Sequence, residues 1–406
     1  MGLVKEGGIV MTKTLIGIKL RLYPNAMQRA QLDQMFGNNR FVHNQLLNMQ
    51  NQRYHNNPSA PYINGYGMNY LITQLKKEYP FLKESDSSSL QVAAQTLDQT
   101  FQGLFNHRNG HPKFKSRHNY KQSYSCKAKL KVVKKRRMRL PKLGEIKTSK
   151  TGQLTRFDDY KIKRYTVTLD SDNRYYLSLT LEAEIKPLPK TNKVVGIDLG
   201  LSDLIVQSDG TEPVRPFVHN ELDQKIKQSQ RKFDRRKNQA IVAVRQFNHN
   251  HPELPAMDKT DYQNWQKERV HKARLQRHLA NMRNDYLQKA TTKLVRNYDV
   301  IVMEDLKAKN LLHNHNLAKG ISNAAWRKIR DMLVYKCHWY GKKLIIVNPR
   351  NTSRICHNCG RYQEQFRGLT MKQWLAKRDW DCEQCGAHQD RDKNAAINIL
   401  NRAQLA

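Results

Sequence analysis

The chain has 406 residues, which is long enough for two or three domains with hydrophobic cores of their own. Its 72 lysine and arginine residues against 35 acidic residues give a formal net charge of +37 at pH 7. Such an excess repels itself in a compact fold unless a polyanion neutralises it, so the composition predicts a nucleic-acid partner. No apolar run approaches the roughly 18 residues of a membrane span, and no secretory signal is visible, so we expect a cytoplasmic protein in a reducing environment.

A strand opens the chain after a short leader. Residues 1–10 show no regular pattern and are expected to be loose. Apolar residues then alternate from Ile16 to Leu22, which indicates a half-buried strand. We therefore predict a unit of residues 1–24 that consists of the leader and one strand.

A mainly helical unit is predicted over residues 25–118. Apolar residues recur at helical spacing over residues 25–53, with an interruption expected at Gly37. A further amphipathic helix follows Ser87 or Ser88, either of which can cap it.

Short strands return in residues 119–190. Residues 160–185 alternate as two strands around a turn, and the early strand is expected to pair with them, so that the helices interrupt a β-barrel. Residues 127–139 hold eight basic residues and no acidic one. Such runs are usually solvated faces, but the adjoining strands favour a groove that binds nucleic-acid phosphates. The residues predicted to make these contacts are Lys134, Lys135, Arg136 and Arg137.

From residue 191 the pattern is that of an α/β domain, predicted over residues 191–349 and completed by residues 389–406. Strands are predicted at 194–198, 203–208, 213–218, 298–303 and 344–348, with a helical insert at 219–296. Three strands in a meander, followed by a helix and two further strands, are the order of the ribonuclease H-like fold.

Three acidic residues stand at matching points of this domain. Asp198 and Glu304 end the first and fourth strands, which are neighbours in that fold, about 4.8 Å apart. Asp392 opens a last helix that can dock across the first strand. Clustered carboxylates repel each other without a cation, so the site predicts a hard divalent metal. Two Mg²⁺ ions about 3.5–4 Å apart would support hydrolysis of a phosphodiester, with a 5′-phosphate product.

A simpler interpretation competes with this site. A single aspartate at a strand end is more often a helix cap or a surface group than a metal ligand. Other acids also lie nearby, namely Asp203, Asp305 and Asp390. Three placements in one strongly basic chain favour the metal site, and Asp392 is preferred to Asp390 because it lies at the helix start.

Four of the six cysteines form two Cys-x2-Cys pairs that are separated by 22 residues. The four are Cys356, Cys359, Cys382 and Cys385. Four thiolates in two such arms suit tetrahedral Zn²⁺. Two disulfides are the alternative, and a reducing compartment disfavours them. The spacer is longer than a zinc ribbon usually needs, so a loop insertion is expected within this module, residues 350–388.

These segments resemble the TnpB family, RNA-guided endonucleases that insertion sequences encode and that are akin to ancestors of the type V CRISPR effectors. Residues 196–200, 302–306 and 390–396 resemble the family's three RuvC motifs. Residues 351–360 and 378–386 resemble the entry and exit of its zinc ribbon. Segments nearer the N-terminus, at 21–25, 36–44 and 110–116, are also similar to the family.

The resemblance implies an α+β multidomain fold. A RuvC-like α/β nuclease domain carries an inserted zinc ribbon, and a β-barrel wedge domain interrupted by a helical recognition lobe precedes it. The implied catalytic residues are Asp198, Glu304 and Asp392, with Mg²⁺ as their metal and one structural Zn²⁺ on the cysteines.

The implied function is RNA-guided cleavage of double-stranded DNA next to a short transposon-associated motif. The guide RNA would be transcribed from the end of the element itself. Two alternatives remain open. A nuclease-inactive, RNA-guided repressor predicts a broken triad, whereas all three acids are present here. A DNA transposase without guide RNA would also suit three acids on this fold, although the cysteine module between the second and third acids favours the endonuclease.

Overall fold

The computed structural model describes residues 4–6, 9–127, 130–134, 136–149, 151–152, 154, 160–306 and 324–404. The chain forms two compact units. The first comprises Lys13–Glu184 and Arg236–Ala273, and the second comprises Gly2–Thr12, Ile185–Arg235 and Arg274–Ala406. The predicted helical insert therefore has residues in both units.

Three helices of the first unit pack around one apolar core. They are α1 (Ala26–Asn56), α2 (Gly65–Glu78) and α3 (Ser87–Phe105). Asn25 and Gln28 form a capping box at the start of α1, in which the backbone N–H of Gln28 donates to the side-chain oxygen of Asn25 at 2.8 Å. The core includes Leu47 of α1, Leu75 of α2 and Leu97 of α3.

Two local predictions for these helices were wrong. Helix α1 continues through Gly37, because the neighbouring Phe36 and Asn38 are buried and their packing outweighs the roughly 1 kcal/mol that a helical glycine costs. The cap of α3 is Asp86, not Ser87 or Ser88. Its carboxylate accepts from the Ser88 amide at 2.8 Å and a cap of this kind satisfies a free helical N–H group.

The first unit also contains most of an eight-stranded sheet of order β3-β7-β8-β2-β6-β5-β4, to which β1 is added at β2. The strands are β1 (Val4–Glu6), β2 (Ile9–Tyr23), β3 (Gln122–Lys127), β4 (Lys131–Lys134), β5 (Arg137–Leu140), β6 (Gly144–Thr148), β7 (Tyr160–Leu169) and β8 (Tyr175–Ile185). The predicted pair over residues 160–185 is confirmed as the β7–β8 hairpin, and the early strand joins the same sheet. Closure of this sheet into a barrel stays a prediction.

The expected leader is partly structured. Residues 4–6 pair antiparallel with Ile9–Met11, so the prediction of a loose leader was wrong for these residues. Strand β2 accordingly begins earlier than the alternating pattern from Ile16 indicated.

The second unit is built on a four-stranded sheet of order β10-β9-β11-β12. Its strands are β9 (Val194–Asp198), β10 (Val206–Gln207), β11 (Val300–Glu304) and β12 (Lys343–Val347). Strand β10 is antiparallel to β9, whereas β9, β11 and β12 run parallel. The core behind the sheet contains Ile197, Ile301 and Leu333.

The strand predicted at residues 213–218 was wrong. Only Val214 pairs there, through a single bridge to Ile205. Pro213 and Pro216 flank it, and neither can donate a backbone hydrogen bond to a ladder, so the strand cannot extend.

Five further helices complete the described chain. They are α4 (Asn220–Asn250), α5 (Gln263–Asn297), α6 (Trp326–Tyr340), α7 (Met371–Ala376) and α8 (Arg391–Gln404). Helices α4 and α5 each have residues in both units. None of the helices in the described part of the chain is both long and apolar enough to cross a membrane.

Helix α8 packs directly on β9 because Gly196 has no side chain. A Cβ atom at Gly196 would lie 2.2 Å from the Ala396 carbonyl oxygen and 2.8 Å from the Leu400 Cβ atom. The backbone of the helix therefore occupies the space that any other residue in the middle of β9 would fill.

We predict that Gly196→Ala destabilises the second unit by about 1–3 kcal/mol, since overpacking must push α8 away from β9. Thermal unfolding would measure the loss, and hydrogen exchange would localise it to α8. Gly17→Ala is the matched control, because Gly17 also lies within a strand and a Cβ atom there meets nothing within 4 Å. Equal stability of the two variants would contradict the packing described above.

Candidate metal centres

Two acidic residues lie side by side at one edge of the four-stranded sheet. The parallel register pairs Ile197 of β9 with Met303 of β11, so Asp198 and Glu304 follow at the carboxyl ends of adjacent strands. Glu304 is buried, with 7% of its surface exposed. The strand neighbourhood predicted for these two acids is therefore present.

The third acid, Asp392, lies in the first turn of α8, the helix that packs against β9 at Gly196. The competing Asp390 has a different role. Its carboxylate accepts from the Lys393 amide at 2.7 Å, as a helix cap does. This geometry favours Asp392 over Asp390 as the third member of the site.

The electrostatics show that the three carboxylates interact. Burial, followed by the charges of Glu304 and Asp392, raises the pKa of Asp198 to about 8. Burial also raises the pKa of Glu304, although a hydrogen bond from Thr352 and the charge of Arg402 oppose the rise. Glu304 is buried, and Asp198 and Asp392 are half-buried. A bound cation relieves the repulsion between like charges in such surroundings, so the residues fit a divalent metal with oxygen ligands.

The three carboxylates do not form one tight set of ligand atoms. Among the described residues, one group of three or more possible metal ligands has all its ligand atoms within 4.8 Å of one another. That group is the four cysteines. The oxygen atoms of Asp198, Glu304 and Asp392 therefore do not all lie within this distance of one another.

Side chains that the sequence reasoning missed hold these acids in place. The Thr352 hydroxyl donates to the Glu304 carboxylate, and Thr352 itself is buried. Arg391 forms an ion pair with Asp392 at 2.8 Å, and Arg378 lies 4.0 Å from the same carboxylate. No pattern marks Thr352 or Arg378 as a site residue, because both act through contacts with residues far away in the chain.

The other competing acids are also paired. Asp203 receives a hydrogen bond from Arg215 at 2.5 Å and lies 3.6 Å from Arg378. Asp305 is paired with Arg330. Asp305 thus pairs with an arginine of its own, whereas Asp203 shares Arg378 with Asp392 and remains a competing acid.

The four predicted cysteines come together as a second candidate metal centre. Two of the Sγ–Sγ distances are 3.8 Å, between Cys356 and Cys385, and 3.5 Å, between Cys359 and Cys382. Tetrahedral zinc with Zn–S bonds of about 2.3 Å places its sulfur atoms about 3.8 Å apart, so the cluster fits one Zn²⁺ ion.

Local structure explains why the two cysteine pairs converge. Gly360 and Gly386 follow the second cysteine of each pair with φ of 74° and 68°, a conformation that favours glycine. Strands β13 (Asp379–Asp381) and β14 (His388–Asp390) form a hairpin around the second pair. The expected insertion in the spacer contains α7 and a short 3₁₀ turn at Glu364–Phe366.

The cysteine module is hydrogen-bonded to α8. Asn398 donates to the carbonyl oxygens of Thr352 at 2.8 Å and Ile355 at 2.7 Å, and Asn394 also donates to Ile355 at 2.8 Å. Asn394 in turn accepts from the His357 amide at 2.9 Å. One helix face therefore fixes the segment that carries both Thr352 and the first cysteine pair.

The predicted nucleic-acid residues lie on the β4–β5 hairpin of the first unit. Lys134 ends β4, Arg137 begins β5, and Arg136 lies in the turn between them, all three exposed. Lys135 falls outside the described residues. Contact of this hairpin with nucleic acid stays a prediction.

Family models match three parts of the chain. They are a helix-turn-helix domain at residues 11–58, a probable transposase of the OrfB/IS605 type at 178–315, and a Cas12f1-like TNB domain at 326–399. In the structure, residues 11–58 contain most of β2 and the single long helix α1.

Two curated relatives align over nearly the whole chain. A putative RNA-guided DNA endonuclease of Streptomyces pristinaespiralis is 31% identical over 96% of this chain and 90% of its own. The putative RNA-guided DNA endonuclease InsQ of Escherichia coli K12 is 30% identical over 96% of this chain and 92% of its own.

A solved structure shares the fold. The cryo-EM structure of a Cas12f1–sgRNA–target DNA complex contains a chain that aligns with a TM-score of 0.54 and 13% identity, over 96% of this chain and 99% of that one. The chain therefore has an α+β fold that it shares with this Cas12f1 chain. Given the full-length relatives at 30% identity and above, the chain belongs to the TnpB family, a family of DNA endonucleases.

We predict that Asp198 makes a contribution to the stability of the metal-free protein that is lost as the pH rises from about 4 to about 8. The pKa of Asp198 is raised from its unfolded value of about 3.9, so the folded state keeps a proton that the unfolded state releases. The contribution is complete below pH 4 and is lost as the pH approaches 8. Asp198→Asn mimics the protonated carboxyl and should melt higher than the wild type at pH 8, with a difference that shrinks towards pH 5.

Thermal unfolding in metal-depleted buffer without chelator, which spares the cysteine cluster, would measure this difference. Each kcal/mol of relieved repulsion corresponds to about 2–4 °C in Tm. Asp285→Asn is the control, because Asp285 is an exposed carboxylate paired with Lys289. Parallel Tm curves for wild type and Asp198→Asn from pH 5 to 8 would show that the carboxylates do not repel each other.

We predict that Cys382→Ser lowers the zinc content from one ion per chain and reduces the melting temperature, since metal binding contributes directly to the stability of such modules. Elemental analysis after gel filtration would give the content. Cys126→Ser is the matched control, because Cys126 is buried in β3 and far along the chain from the cluster. One zinc ion per chain in Cys382→Ser would rule out the four-thiolate site.

Proposed function

We propose that this protein is an RNA-guided, Mg²⁺-dependent endonuclease that cuts double-stranded DNA next to a short transposon-associated motif. The observation that carries the proposal is the gathering of Asp198, Glu304 and Asp392 from two strands and a helix, in a chain with a net charge of +37. A site of one buried and two half-buried carboxylates in a basic protein suits a polyanionic substrate and a divalent metal.

The comparisons support guidance by RNA. The two full-length relatives carry that activity in their names, and the Cas12f1 chain was solved with a guide RNA and target DNA. For this protein we propose a guide RNA transcribed from the end of an insertion sequence, paired with one strand of the target DNA. On this view the eight-stranded sheet is a wedge β-barrel, and α1–α3 are the recognition lobe.

In the proposed reaction, Asp198, Glu304 and Asp392 hold the metal, in a ribonuclease H-like, RuvC-type domain. If two Mg²⁺ ions were held there, they would supply an activated water and stabilise the leaving 3′-oxygen, so that the product would carry a 5′-phosphate. The protein supplies the placement of the ligands. Thr352 orients the Glu304 carboxylate, and Arg391 orients that of Asp392.

We propose that the cysteines bind one structural Zn²⁺ in a zinc ribbon. The ribbon positions Thr352, because Asn394 and Asn398 tie residues 352–357 to α8. Lys134 to Arg137 are proposed to contact phosphates of the nucleic acid, and the protein is expected in the cytoplasm, associated with the nucleoid.

A second candidate is a transposase that acts without RNA. The family model that matches residues 178–315 is described as a probable transposase. A nuclease-inactive repressor is the less favoured third, because all three acids are in place. Dependence of cleavage on a bound RNA separates the endonuclease from the transposase.

We predict that Asp198→Ala reduces cleavage by about 10³-fold or more while binding of guide RNA and target DNA changes little, since the variant removes a metal ligand and no surface charge. The assay uses protein co-expressed with its flanking RNA, a plasmid target and a Mg²⁺ titration. Asp305→Ala is the matched control, because Asp305 adjoins Glu304 but is paired with Arg330. Retained cleavage by Asp198→Ala, or equal loss in Asp305→Ala, would refute the assignment.

A further inference from the structure

A row of alternating charges in the second unit ends at the carboxylate of Asp392. The Asp203 carboxylate lies 2.5 Å from Arg215 and 3.6 Å from Arg378, measured between nitrogen and oxygen atoms. Arg378 in turn lies 4.0 Å from the Asp392 carboxylate. The two carboxylate side chains are largely buried, with 12% and 15% of their surface exposed. Asp203 and Asp392 therefore share one guanidinium group, that of Arg378.

The backbone fixes Asp203 in the connection after β9. The Leu204 amide donates to the Val214 carbonyl at 2.7 Å, and this pairing brings the preceding Asp203 close to Arg215. A Cβ atom at Gly200 would lie only 2.5 Å from the Asp203 carbonyl oxygen, so the turn between these two residues is tight. The place of Asp203 is thus set by backbone contacts of its own stretch of the chain.

The hairpin of the cysteine module places Arg378 beside Asp392. In that hairpin, Asp379 of β13 pairs with Asp390 of β14. Arg378, one residue earlier, therefore lies opposite Arg391, whose amide donates to the Arg378 carbonyl at 2.8 Å. Because Asp392 follows Arg391 directly, the register of the hairpin determines which arginine reaches this carboxylate.

The two arginines at Asp392 are held differently. The Arg391 side chain is 12% exposed, and it also donates to the carbonyl oxygens of Trp374 and Lys377, each at 3.2 Å. The Arg378 side chain is 46% exposed, and both of its distances to carboxylates exceed the roughly 2.7–2.9 Å of a charge-assisted hydrogen bond. Arg391 is therefore a fixed counter-charge, whereas the charge of Arg378 is divided between two acids.

We propose that Asp203 is a positioning residue, which draws Arg378 partly away from Asp392 and so raises the affinity of the carboxylate site for a divalent cation. A guanidinium group and a metal ion beside one carboxylate repel each other, because they carry like charges. The more of the Arg378 charge Asp203 neutralises, the more of the Asp392 charge is available to the metal. The inference rests on the proposed function in that Asp392 is a metal ligand there.

The affinity for Mn²⁺ tests this proposal. Mn²⁺ prefers oxygen ligands, and electron paramagnetic resonance of the free ion gives its dissociation constant for the full chain, purified with one Zn²⁺ per chain and without nucleic acid. Asp203→Asn should weaken Mn²⁺ binding about fivefold, the upper end for a partly exposed ion pair, because the charge of Arg378 then falls on Asp392 alone. Arg378→Gln should tighten binding about fivefold, because it removes the competing charge.

The double variant Asp203→Asn/Arg378→Gln separates an effect through Arg378 from a direct one. If Asp203 acts by positioning Arg378, the double variant should bind Mn²⁺ within about twofold of Arg378→Gln alone, because two changes in one interaction are not additive. If Asp203→Asn weakens binding by the same factor in both backgrounds, Asp203 acts directly on the metal, as a ligand or as a nearby charge. That result would overturn the proposal.

A third variant changes the row of charges at its exposed end. The Arg215 side chain is 70% exposed, so Arg215→Gln should leave the fold intact. Asp203 then has more of its charge for Arg378, and Mn²⁺ binding should tighten about twofold. The gain should vanish in the Asp203→Asn background. A gain that persists there would show that the row of charges does not act through Asp203, and would overturn the proposal.

The controls remove or keep charges outside the row. Arg367→Gln changes an exposed arginine of the cysteine module that is paired with Glu364, and Asp285→Asn changes an exposed carboxylate that is paired with Lys289. Both should leave Mn²⁺ binding unchanged, whereas Arg378→Lys, which keeps the charge, should stay within about twofold of the wild type. Melting curves and zinc content establish that the variants fold. Equal effects of Arg378→Gln and Arg367→Gln would overturn the proposal.

Asp392→Asn shows whether the proposed metal site itself is right. It should weaken Mn²⁺ binding about tenfold or more, since it changes a ligand rather than a residue behind one. With that result in hand, failure of the Asp203 predictions overturns this inference alone. If Asp392→Asn binds Mn²⁺ like the wild type, the metal assignment in the proposed function fails, and this inference fails with it.

Discussion

The close approach of α8 to β9 is the constraint on which the candidate active site depends. Gly196 lets the helix backbone lie where a side chain would otherwise stand, and the helix begins with Asp392. The parallel pairing of β9 with β11 independently aligns Asp198 with Glu304. The packing of α8 on β9 and the pairing of β9 with β11 thus place these carboxylates in one region. The outermost two, Asp198 and Asp392, lie almost 200 residues apart in the sequence.

The same helix joins the two candidate metal centres. Asn394 and Asn398 lie one turn apart on α8 and hold the segment that leads into the first cysteine pair. That segment places Thr352 on Glu304. A cysteine module held in this way supports the Glu304 carboxylate through Thr352, so we expect a metal bound to the cysteines to affect the other site without touching the substrate.

The sequence predicted the parts of this site that local patterns encode. Strand ends, a helix start and two Cys-x2-Cys pairs are each visible within a few residues, and the parallel-sheet order followed from their succession. Thr352 and Arg378 were missed because their roles arise only from contacts between distant segments. The strand predicted at 213–218 is reduced to a single bridge at Val214. Its apolar residues fit a strand, but Pro213 and Pro216 cannot donate the backbone hydrogen bonds that a strand needs.

The most direct test of the account is whether the cut follows the RNA. The RNA that copurifies with the protein would be sequenced, its terminal segment replaced by one of two chosen sequences, and each complex supplied with a mixture of both matching plasmids and Mg²⁺. Sequencing the cut ends should show that each complex cuts only the plasmid that matches its RNA. Cutting of both plasmids alike, or cutting by the protein without RNA, would contradict an RNA-guided endonuclease and favour a transposase that acts on DNA alone.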